Sequence, residues 1–386
     1  MPRPSQRLAG LPGFSIDRVA AAAEGDPEVL RLENLDTDLR PHPSAVAATK
    51  AAVDDDAWNS YLPFTGAVAL REAICRRVAR LGGPAYDTDE VCITCGGTEA
   101  AFDALLGLID PGDEVVLADP TYAGLVNRVK LAGGVPRFAP LVPSDAGWTF
   151  DAAAFRAALS PKTKAVLFSA ASMPAGCVLT RADWEAVAAA CKAHDLWLIH
   201  DAAMERLLYD GRHTEQPASL PGMRERTVIV GSASKDLRLI GWRIGWAVGP
   251  REAMANVSRA HIYNAVCPPG FNQAGALAAL EAGEGDVQAC VHEWQLRRDT
   301  MLEELRGLPV VPPHGGWSML LDTTKLGLSP AEASKRLLAI GKVAATPMTG
   351  WGDAVAARFV RFVFSNERVA RLRGLGEKVR RSLSVA

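Results

Sequence analysis

The chain has 386 residues, 42 of them basic and 44 acidic, with a formal net charge of -2. A chain of this length exceeds the size at which one hydrophobic core stops growing, so we expect a large domain and a smaller one. The balanced charge, without a long basic run, argues against a nucleic acid partner. No apolar stretch reaches the length of a membrane span and the N-terminus lacks a signal peptide's apolar segment, so we expect a cytoplasmic protein.

The seven cysteines are odd in number and scattered, which is typical of reduced thiols rather than of a disulfide framework. Cys92 and Cys95 have the spacing of a redox or zinc motif. They lie in an apolar, strand-like run and no second pair follows, so we predict no metal site.

In chain order, the first forty residues are predicted to form a short arm and an alanine-rich turn, ending in a strand-like segment. Further strands are predicted at 91–95, 114–117, 135–139, 165–168, 196–200, 227–230, 318–321 and 358–363. Helices are predicted at 45–55, 69–81, 100–108, 122–132, 152–159, 181–194, 251–265, 273–281, 288–305 and 330–340, with a basic helix at the C-terminus.

The alternation of strands and helices in the middle of the chain predicts an α/β fold with a mostly parallel sheet covered by helices on both faces. The change of pattern near the C-terminus indicates a smaller α+β domain. We expect residues 1–44 to form an N-terminal arm and part of the small domain, 45–268 the large domain, and 269–386 the small C-terminal domain. Ligands of such a sheet bind beyond the carboxyl ends of its strands.

Two features of the central region indicate ligand binding. The turn Gly96-Gly97-Thr98 leads from a predicted strand into a helix, where backbone N–H groups and the helix dipole favour an anion such as phosphate. The same kind of turn also occurs for packing alone. Asp201 and Lys235 each follow a predicted strand, so they are expected to face one ligand.

Lys235 lies among small residues, with Arg238 and Arg243 nearby. Burial and neighbouring positive charges both disfavour an ammonium group, and a lysine of lowered pKa readily forms an imine with an aldehyde. This chemistry indicates pyridoxal phosphate, which is bound as a lysine Schiff base. A solvated lysine in a polar turn is the alternative reading of these residues.

A series of motifs carries a family resemblance over nearly the full length of the chain. In order, they are Tyr61 with Gly66 and Leu70-Arg71, Gly96-Gly97-Thr98, Asp110–Val115, Pro120-Thr121-Tyr122, Asp201, Ser232-x-Ser234-Lys235 with Arg243, and Arg361. With them the chain resembles the class I/II aminotransferases, pyridoxal-phosphate enzymes of fold type I.

The resemblance implies a role for each matching residue. Lys235 would form the Schiff base and move the α-proton, and Asp201 would pair with the pyridinium nitrogen. Tyr122 would stack on the pyridine ring, and Arg361 would bind the substrate α-carboxylate as a bidentate fork. The turns that would surround the cofactor phosphate contain Gly96, Gly97, Thr98, Ser232, Ser234 and Arg243. Tyr61 would reach the phosphate from the partner subunit of a homodimer.

The chain departs from the family pattern at three positions. Met173 stands where the family usually has an asparagine, and Met204 where it usually has a tyrosine. Both of those residues donate hydrogen bonds to the cofactor's ring oxygen, and a thioether cannot donate. Leu35 takes the place of a glycine beside the substrate and would narrow the pocket. A replacement donor is expected among Ser172, Asn34 and His200. The pocket is expected to be apolar and to include Trp317, with Ser318 and Trp351 nearby.

Three functions remain open at this point. The first is an aminotransferase that moves the amino group of an amino acid to a 2-oxo acid through Lys235. The second is a pyridoxal-phosphate enzyme of the same fold that carries out elimination, replacement, cyclisation or oxidation from a quinonoid intermediate. The third is a cofactor-binding regulator, for which residues 1–40 are too few and too little basic to supply a DNA-binding domain.

Overall fold

The computed structural model of the chain describes residues 2–3, 6–11, 13 and 15–384. The remaining residues, and with them the outer ends of the predicted N-terminal and C-terminal segments, lie outside this description. Among the described residues, no helix is both long enough and apolar enough to span a membrane.

The strands are β1 (Leu30–Arg31), β2 (Val91–Thr94), β3 (Glu114–Asp119), β4 (Val135–Ser144), β5 (Gly147–Phe150), β6 (Thr163–Ser169), β7 (Trp197–Asp201), β8 (Thr227–Ser232), β9 (Gly245–Val248), β10 (Val310–Val311), β11 (Ser318–Asp322), β12 (Val343–Ala344), β13 (Thr346–Pro347) and β14 (Phe359–Val363). The α-helices are α1 (Ser15–Ala22), α2 (Pro43–Val53), α3 (Val68–Arg80), α4 (Gly97–Leu108), α5 (Ala123–Leu131), α6 (Ala152–Ala158), α7 (Arg181–Ala193), α8 (Arg251–Ala265), α9 (Gly270–Glu281), α10 (Gly285–Glu304), α11 (Pro330–Gly341), α12 (Val369–Leu372) and α13 (Leu375–Leu383).

The large sheet has the strand order β2-β9-β8-β7-β6-β3-β4-β5. The run from β8 to β4 is parallel, while β9 and β5 pair antiparallel with their neighbours. Alternate residues of β6 pack on opposite sides: Val166 and Phe168 join the core of α7, and Ala165 and Leu167 join the core of α4. The predicted mostly parallel sheet with helices on both faces is therefore confirmed.

The second sheet is antiparallel, in the order β10-β11-β14-β13. Its apolar face shares a core with α10, α11 and α13, which contribute Trp294, Leu337 and Val379. The short strand β1 pairs parallel with β12, so the N-terminal segment lies beside C-terminal residues. This α+β unit agrees with the expected smaller part of the fold, while the predicted domain ranges remain a prediction.

The N-terminal segment differs from the sequence prediction. Residues expected to form an alanine-rich turn instead form helix α1, which begins at Ser15 and has Asp17 in its first turn. The physical reason is the high helix propensity of alanine, together with an acidic side chain near the positive end of the helix. The helix brings Ile16 to the wall of the main cavity.

Candidate active site

A cavity of about 260 Å³ lies at the carboxyl ends of the parallel strands. Ser169, Asp201 and Ser232, the last residues of β6, β7 and β8, all line it. Parallel strands end at the same edge of a sheet, so residues far apart in sequence meet there. The cavity also receives the first turn of α4 and the side chain of Lys235.

Lys235 is enclosed in this cavity. Its Nζ lies 3.5 Å from the carbonyl oxygen of Leu35 and 4.9 Å from the centre of the Trp317 ring. Burial is the largest cause that lowers the pKa of Lys235, to about 8, because an apolar enclosure disfavours the ammonium.

Four charged groups around Lys235 adjust that pKa. Asp36 and Asp201 oppose the lowering, while Arg361 and Arg243 reinforce it. The expected lowering, and the contribution of Arg243 to it, are therefore confirmed.

Arg238 has a different role from the one expected. Its guanidinium donates to the carbonyls of Arg40 at 2.9 Å and of Asp236 at 2.7 Å, and it pairs with Asp286. The side chain thus holds the backbone of the turn after Lys235. The second arginine that lowers the pKa of Lys235 is Arg361.

The turn before α4 is shaped by close backbone packing. Gly96 has φ of +88°, and a Cβ there would lie only 2.3 Å from Nη2 of Arg243. A Cβ on Gly245 would lie 2.3 Å from the backbone of Gly96 and Gly97. Only glycines allow this approach, which places the N–H groups at the start of α4 beside Arg243.

Hydroxyl groups surround the same turn. Arg243 donates to Ser234 Oγ at 3.3 Å and lies 3.5 Å from Thr98 Oγ1. Ser232 Oγ accepts from the Ser234 N–H at 3.1 Å. A guanidinium, hydroxyl groups and a helix N-terminus together form a site suited to a phosphate.

Asp201 ends β7 with its carboxylate held in place. Ser169 donates to Oδ2 at 3.0 Å and the Ala203 N–H donates to Oδ1 at 3.1 Å. Burial, the largest cause, raises the pKa of Asp201, while these two bonds and Lys235 counteract the rise. Ser169 carries no sequence motif, and only the register of β6 against β7 pairs it with Asp201.

Arg361 lies fully buried in β14 and lines the cavity. Its guanidinium donates to the Glu33 carbonyl and stacks 4.7 Å from the centre of the Trp351 ring. Burial lowers the pKa of Arg361 to about 10, with Tyr122 and Glu33 opposing. Its Nε has no hydrogen-bond partner among the described residues, so this buried cation retains donor capacity for an anion.

The three departures from the family pattern all reach the cavity: Leu35, Met173 and Met204 line it. Of the expected replacement donors, Asn34 also lines it. Ser172 instead accepts a hydrogen bond at 3.1 Å from the N–H of Cys177, within its own turn.

His200, the third expected donor, is fully buried and packs edge-on against Trp184, with ring centres 5.2 Å apart. Burial lowers its pKa to about 3, so this imidazole is neutral. Its position in the core around α7 makes it a packing residue of the sheet.

The aromatic residues singled out from the sequence occupy different depths. Tyr122 lines the cavity and lies 5.7 Å from Trp351, ring centre to ring centre. Trp317 and Trp351 are buried behind Lys235 and Arg361, respectively. The Ser318 hydroxyl donates to the Pro174 carbonyl at 2.9 Å.

Tyr61 is 79% exposed in the single chain and is not part of this cavity. Ile16, Leu125 and Ile240 line the cavity without having been predicted to do so. Their apolar side chains carry no chemical motif, and only the fold brings them together.

Comparison with known proteins identifies the family. The family model "Aminotransferase class I and II" matches residues 29–373. The chain belongs to the class I and II aminotransferases.

The relatives include the arginine–pyruvate transaminase of Pseudomonas aeruginosa, which is 35% identical over an alignment of 342 residues, with 86% of this chain and 86% of the relative covered. The aspartate/prephenate aminotransferase of Thermus thermophilus is 33% identical, with 81% of this chain and 83% of the relative covered. Among solved structures, the N-succinyldiaminopimelate aminotransferase of Mycobacterium tuberculosis has a TM-score of 0.90 and 32% identity, and both chains are covered in full.

This family uses pyridoxal phosphate, and its members move the amino group of an amino acid to a 2-oxo acid. The predicted fold type, cofactor and enzyme class are confirmed. Amino-group transfer is favoured over the elimination, replacement, cyclisation and oxidation reactions considered from the sequence.

Proposed function

We propose that this aminotransferase uses the amine of Lys235 as its catalytic group. The observation that carries the proposal is an enclosed lysine, with a pKa lowered to about 8, at the carboxyl ends of the parallel strands. The cofactor supplies an aldehyde for attachment and a ring that accepts electrons from the substrate's α-carbon. A pKa lowered to about 8 brings the amine closer to neutral pH, which suits a group that carries a proton to and from that carbon.

The fit of the cofactor to the cavity supports this proposal. Its phosphate would be held by Thr98, Ser232, Ser234 and Arg243 and by the N–H groups at the start of α4, where glycines allow close approach. Asp201 would hold the proton of the ring nitrogen, since Ser169 and Ala203 keep its carboxylate oriented. Tyr122 would cover the ring.

Arg361 is proposed to bind the substrate α-carboxylate. A buried guanidinium with an unused donor is well suited to a planar anion, and its contact with Trp351 fixes the plane of the fork. The same cation faces Lys235 and helps to keep the amine uncharged. Carboxylate binding would neutralise that cation and so change the proton affinity of Lys235.

The substrate side chain is proposed to be uncharged. Among the described residues, the charged groups lining the cavity are Lys235, Asp201, Arg243 and Arg361, and each of them has a proposed partner in the cofactor or the α-carboxylate. The remaining wall is largely apolar, with Ile16, Leu35, Met173, Met204 and Ile240. A charged side chain would lose hydration there without gaining a partner.

A homodimer is proposed as the active form, with Tyr61 reaching the phosphate of the partner subunit's cofactor. The exposed aromatic residues Tyr61 and Tyr263 and the half-exposed Phe64 support a contact surface. His261 of α8 lies 3.1 Å from the Phe64 carbonyl, so the end of α8 and this segment are neighbours.

Two measurements test the proposed function. Borohydride reduction of the cofactor-loaded protein, followed by peptide mapping, should place the label on Lys235. A screen of amino donors against pyruvate and 2-oxoglutarate, with detection of keto acid, amine and ammonia, should give keto acid and new amino acid in equal amounts. Label on another lysine, or release of ammonia in place of transfer, would contradict the proposal.

A further inference from the structure

The turns that contain Lys235 and Asp201 are proposed to face the cofactor, and each is followed by a buried acidic residue. Asp236 follows Lys235 directly, and Glu205 lies four residues after Asp201. These acids are only 1% and 5% exposed. Buried carboxylates require partners. Both acids pair with Arg77, which lies near the end of α3.

Arg77 bridges the two turns. Its Nη1 lies 2.9 Å from Asp236 Oδ2, and its Nη2 donates to Glu205 Oε1 at 3.1 Å. The arginine is 3% exposed, and its guanidinium carbon lies 5.5 Å from the centre of the Trp246 ring on β9. The guanidinium therefore lies between two carboxylates and an aromatic ring, with a hydrogen bond to Glu205 and an ion pair with Asp236.

Further donors contribute to the arrangement, although Asp236 Oδ1 and Arg77 Nε have no hydrogen-bond partner among the described residues. The second oxygen of Glu205 accepts from Gln216 at 2.7 Å. Asp236 Oδ2 also pairs with Arg206 at 3.3 Å, and the Asp236 carbonyl accepts from Arg238. The Glu205 carbonyl accepts a hydrogen bond from the Thr214 hydroxyl. Both acidic residues are thus held through their side chains and their backbone carbonyls, by groups that do not line the cavity.

A buried ion-pair network of this kind is a weak source of stability, because desolvation of the charges offsets their attraction. The network is better suited to fixing geometry. A planar guanidinium sets the separation and the orientation of the two carboxylates that it contacts, which a lysine cannot do. Given the roles proposed above for Lys235 and Asp201, we infer that Arg77 is a positioning residue that sets the Lys235 turn against the Asp201 loop.

The consequence concerns the enclosure of Lys235. With Asp236 anchored inward, the preceding residue points its amine into the cavity beside Leu35 and Trp317. Without the anchor, the turn is free to move Asp236 toward water and to carry Lys235 with it. The amine would then be better hydrated and less favourably placed relative to Asp201.

The test uses variants that leave no unpaired buried charge. In the triple variant Arg77→Leu, Glu205→Gln, Asp236→Asn, Arg77 and its two carboxylate partners lose their charges together, which such cores tolerate better than single removals. Arg206, which also pairs with Asp236, keeps its second partner Glu284. Arg77→Lys retains the charge without the fork. Arg76→Leu is the matched control, since Arg76 is the neighbouring arginine on α3, with its side chain 60% exposed.

The first readout is the amine itself in the cofactor-free protein. The rate of dinitrophenylation of Lys235, followed by peptide mapping across pH, reports its titration without any need for catalysis. We expect the midpoint to rise by about one unit or more in the triple variant and in Arg77→Lys, and to stay unchanged in Arg76→Leu. The second readout is pyridoxal phosphate affinity, expected to weaken at least about tenfold in the same two variants.

Folding is checked by thermal melting, and Arg77→Lys carries the test if the triple variant does not fold. Folded variants that keep both the parent's Lys235 titration and its cofactor affinity would show that Arg77 is only a core ion pair, and would overturn the inference. A failure of the proposed function looks different: borohydride would then label another lysine in the parent protein, while the Lys235 titration would still decide the role of Arg77.

Discussion

The sulfur of Met173 lies 3.9 Å from Nη1 of Arg361. This contact joins the loop after β6 to strand β14 at the place proposed for the substrate carboxylate. A thioether is a weak acceptor and cannot neutralise a guanidinium. Met173 therefore covers the cation without satisfying it, and the positive charge remains available to an incoming anion.

Arg361→Ala should weaken amino-acid binding by about 2–5 kcal/mol, as truncation of one member of a buried charge pair typically does. Arg361→Lys should recover only part of the loss, because a lysine cannot form two parallel bonds to a carboxylate. Single-turnover titration with the amino donor measures the affinity. Arg368→Ala is the control, as this arginine has a side chain that is 82% exposed. Unchanged affinity in Arg361→Ala would move the carboxylate site elsewhere.

The two methionines predict a spectroscopic property. In the proposed linkage, hydrogen bonds to the cofactor's ring oxygen would favour loss of the proton from the nitrogen that joins Lys235 to the cofactor, and neither Met173 nor Met204 can donate such a bond. Compared with an enzyme that has both donors, this chain should keep the proton on that nitrogen to a pH about one unit higher or more. The protonated form absorbs in the visible, so the visible band should persist at neutral pH.

A spectral pH titration of the loaded protein checks this expectation. Met173→Asn with Met204→Tyr should move the titration to lower pH. Asn34→Ala is the informative control, because Asn34 is the expected replacement donor that lines the cavity. If the double variant titrates like the parent, the methionines do not occupy the donor positions.

Asp103 predicts a pH dependence of stability. Burial and the adjacent Glu99 raise its pKa to about 7, with His261 and Asn264 opposing. The folded state therefore holds this proton up to a higher pH than the unfolded chain, so stability from this group is present at low pH and is lost as pH rises through about 7. Asp103→Asn should raise the unfolding free energy at pH 8 by on the order of 2 kcal/mol, and by much less at pH 4.5.

Urea unfolding of parent and variant at the two pH values measures the difference. Asp110→Asn serves as the control, since Asp110 is an exposed aspartate just beyond the same helix. If the variant raised the unfolding free energy equally at both pH values, ionisation of Asp103 would not destabilise the folded state.

The sequence predicted those parts of the fold that depend on local pattern. The strands β6, β7 and β8 are buried runs bounded by turns, and helix α7 begins with the capping box of Thr180 and Asp183. Because parallel strands end at one edge, the sequence pattern alone predicts that Asp201 and Lys235 lie close together.

What the sequence could not supply depends on partners distant along the chain. Strand β9 pairs antiparallel with β2, about 150 residues earlier, and no local signal marks that pairing. The bond from Ser169 to Asp201 follows from the register between two strands. The direction of Arg238 follows from its backbone conformation, with φ of +57°, which turns the side chain toward Arg40 and Asp286.

The proposed dimer predicts complementation between two inactive variants. If Tyr61 serves the active site of the partner subunit, a mixed dimer of Lys235→Ala and Tyr61→Ala chains contains one site with both native residues and one site with neither. Each variant alone should be strongly impaired, whereas an equimolar mixture, unfolded and refolded together, should regain roughly a quarter of the parent activity by statistical pairing.

The rate of amino-group transfer before and after subunit exchange measures the gain in activity, and mixing without refolding is the control. If activity did not rise after confirmed subunit exchange, Tyr61 would not serve the active site of the partner subunit, and the proposal of an active site shared between subunits would be wrong.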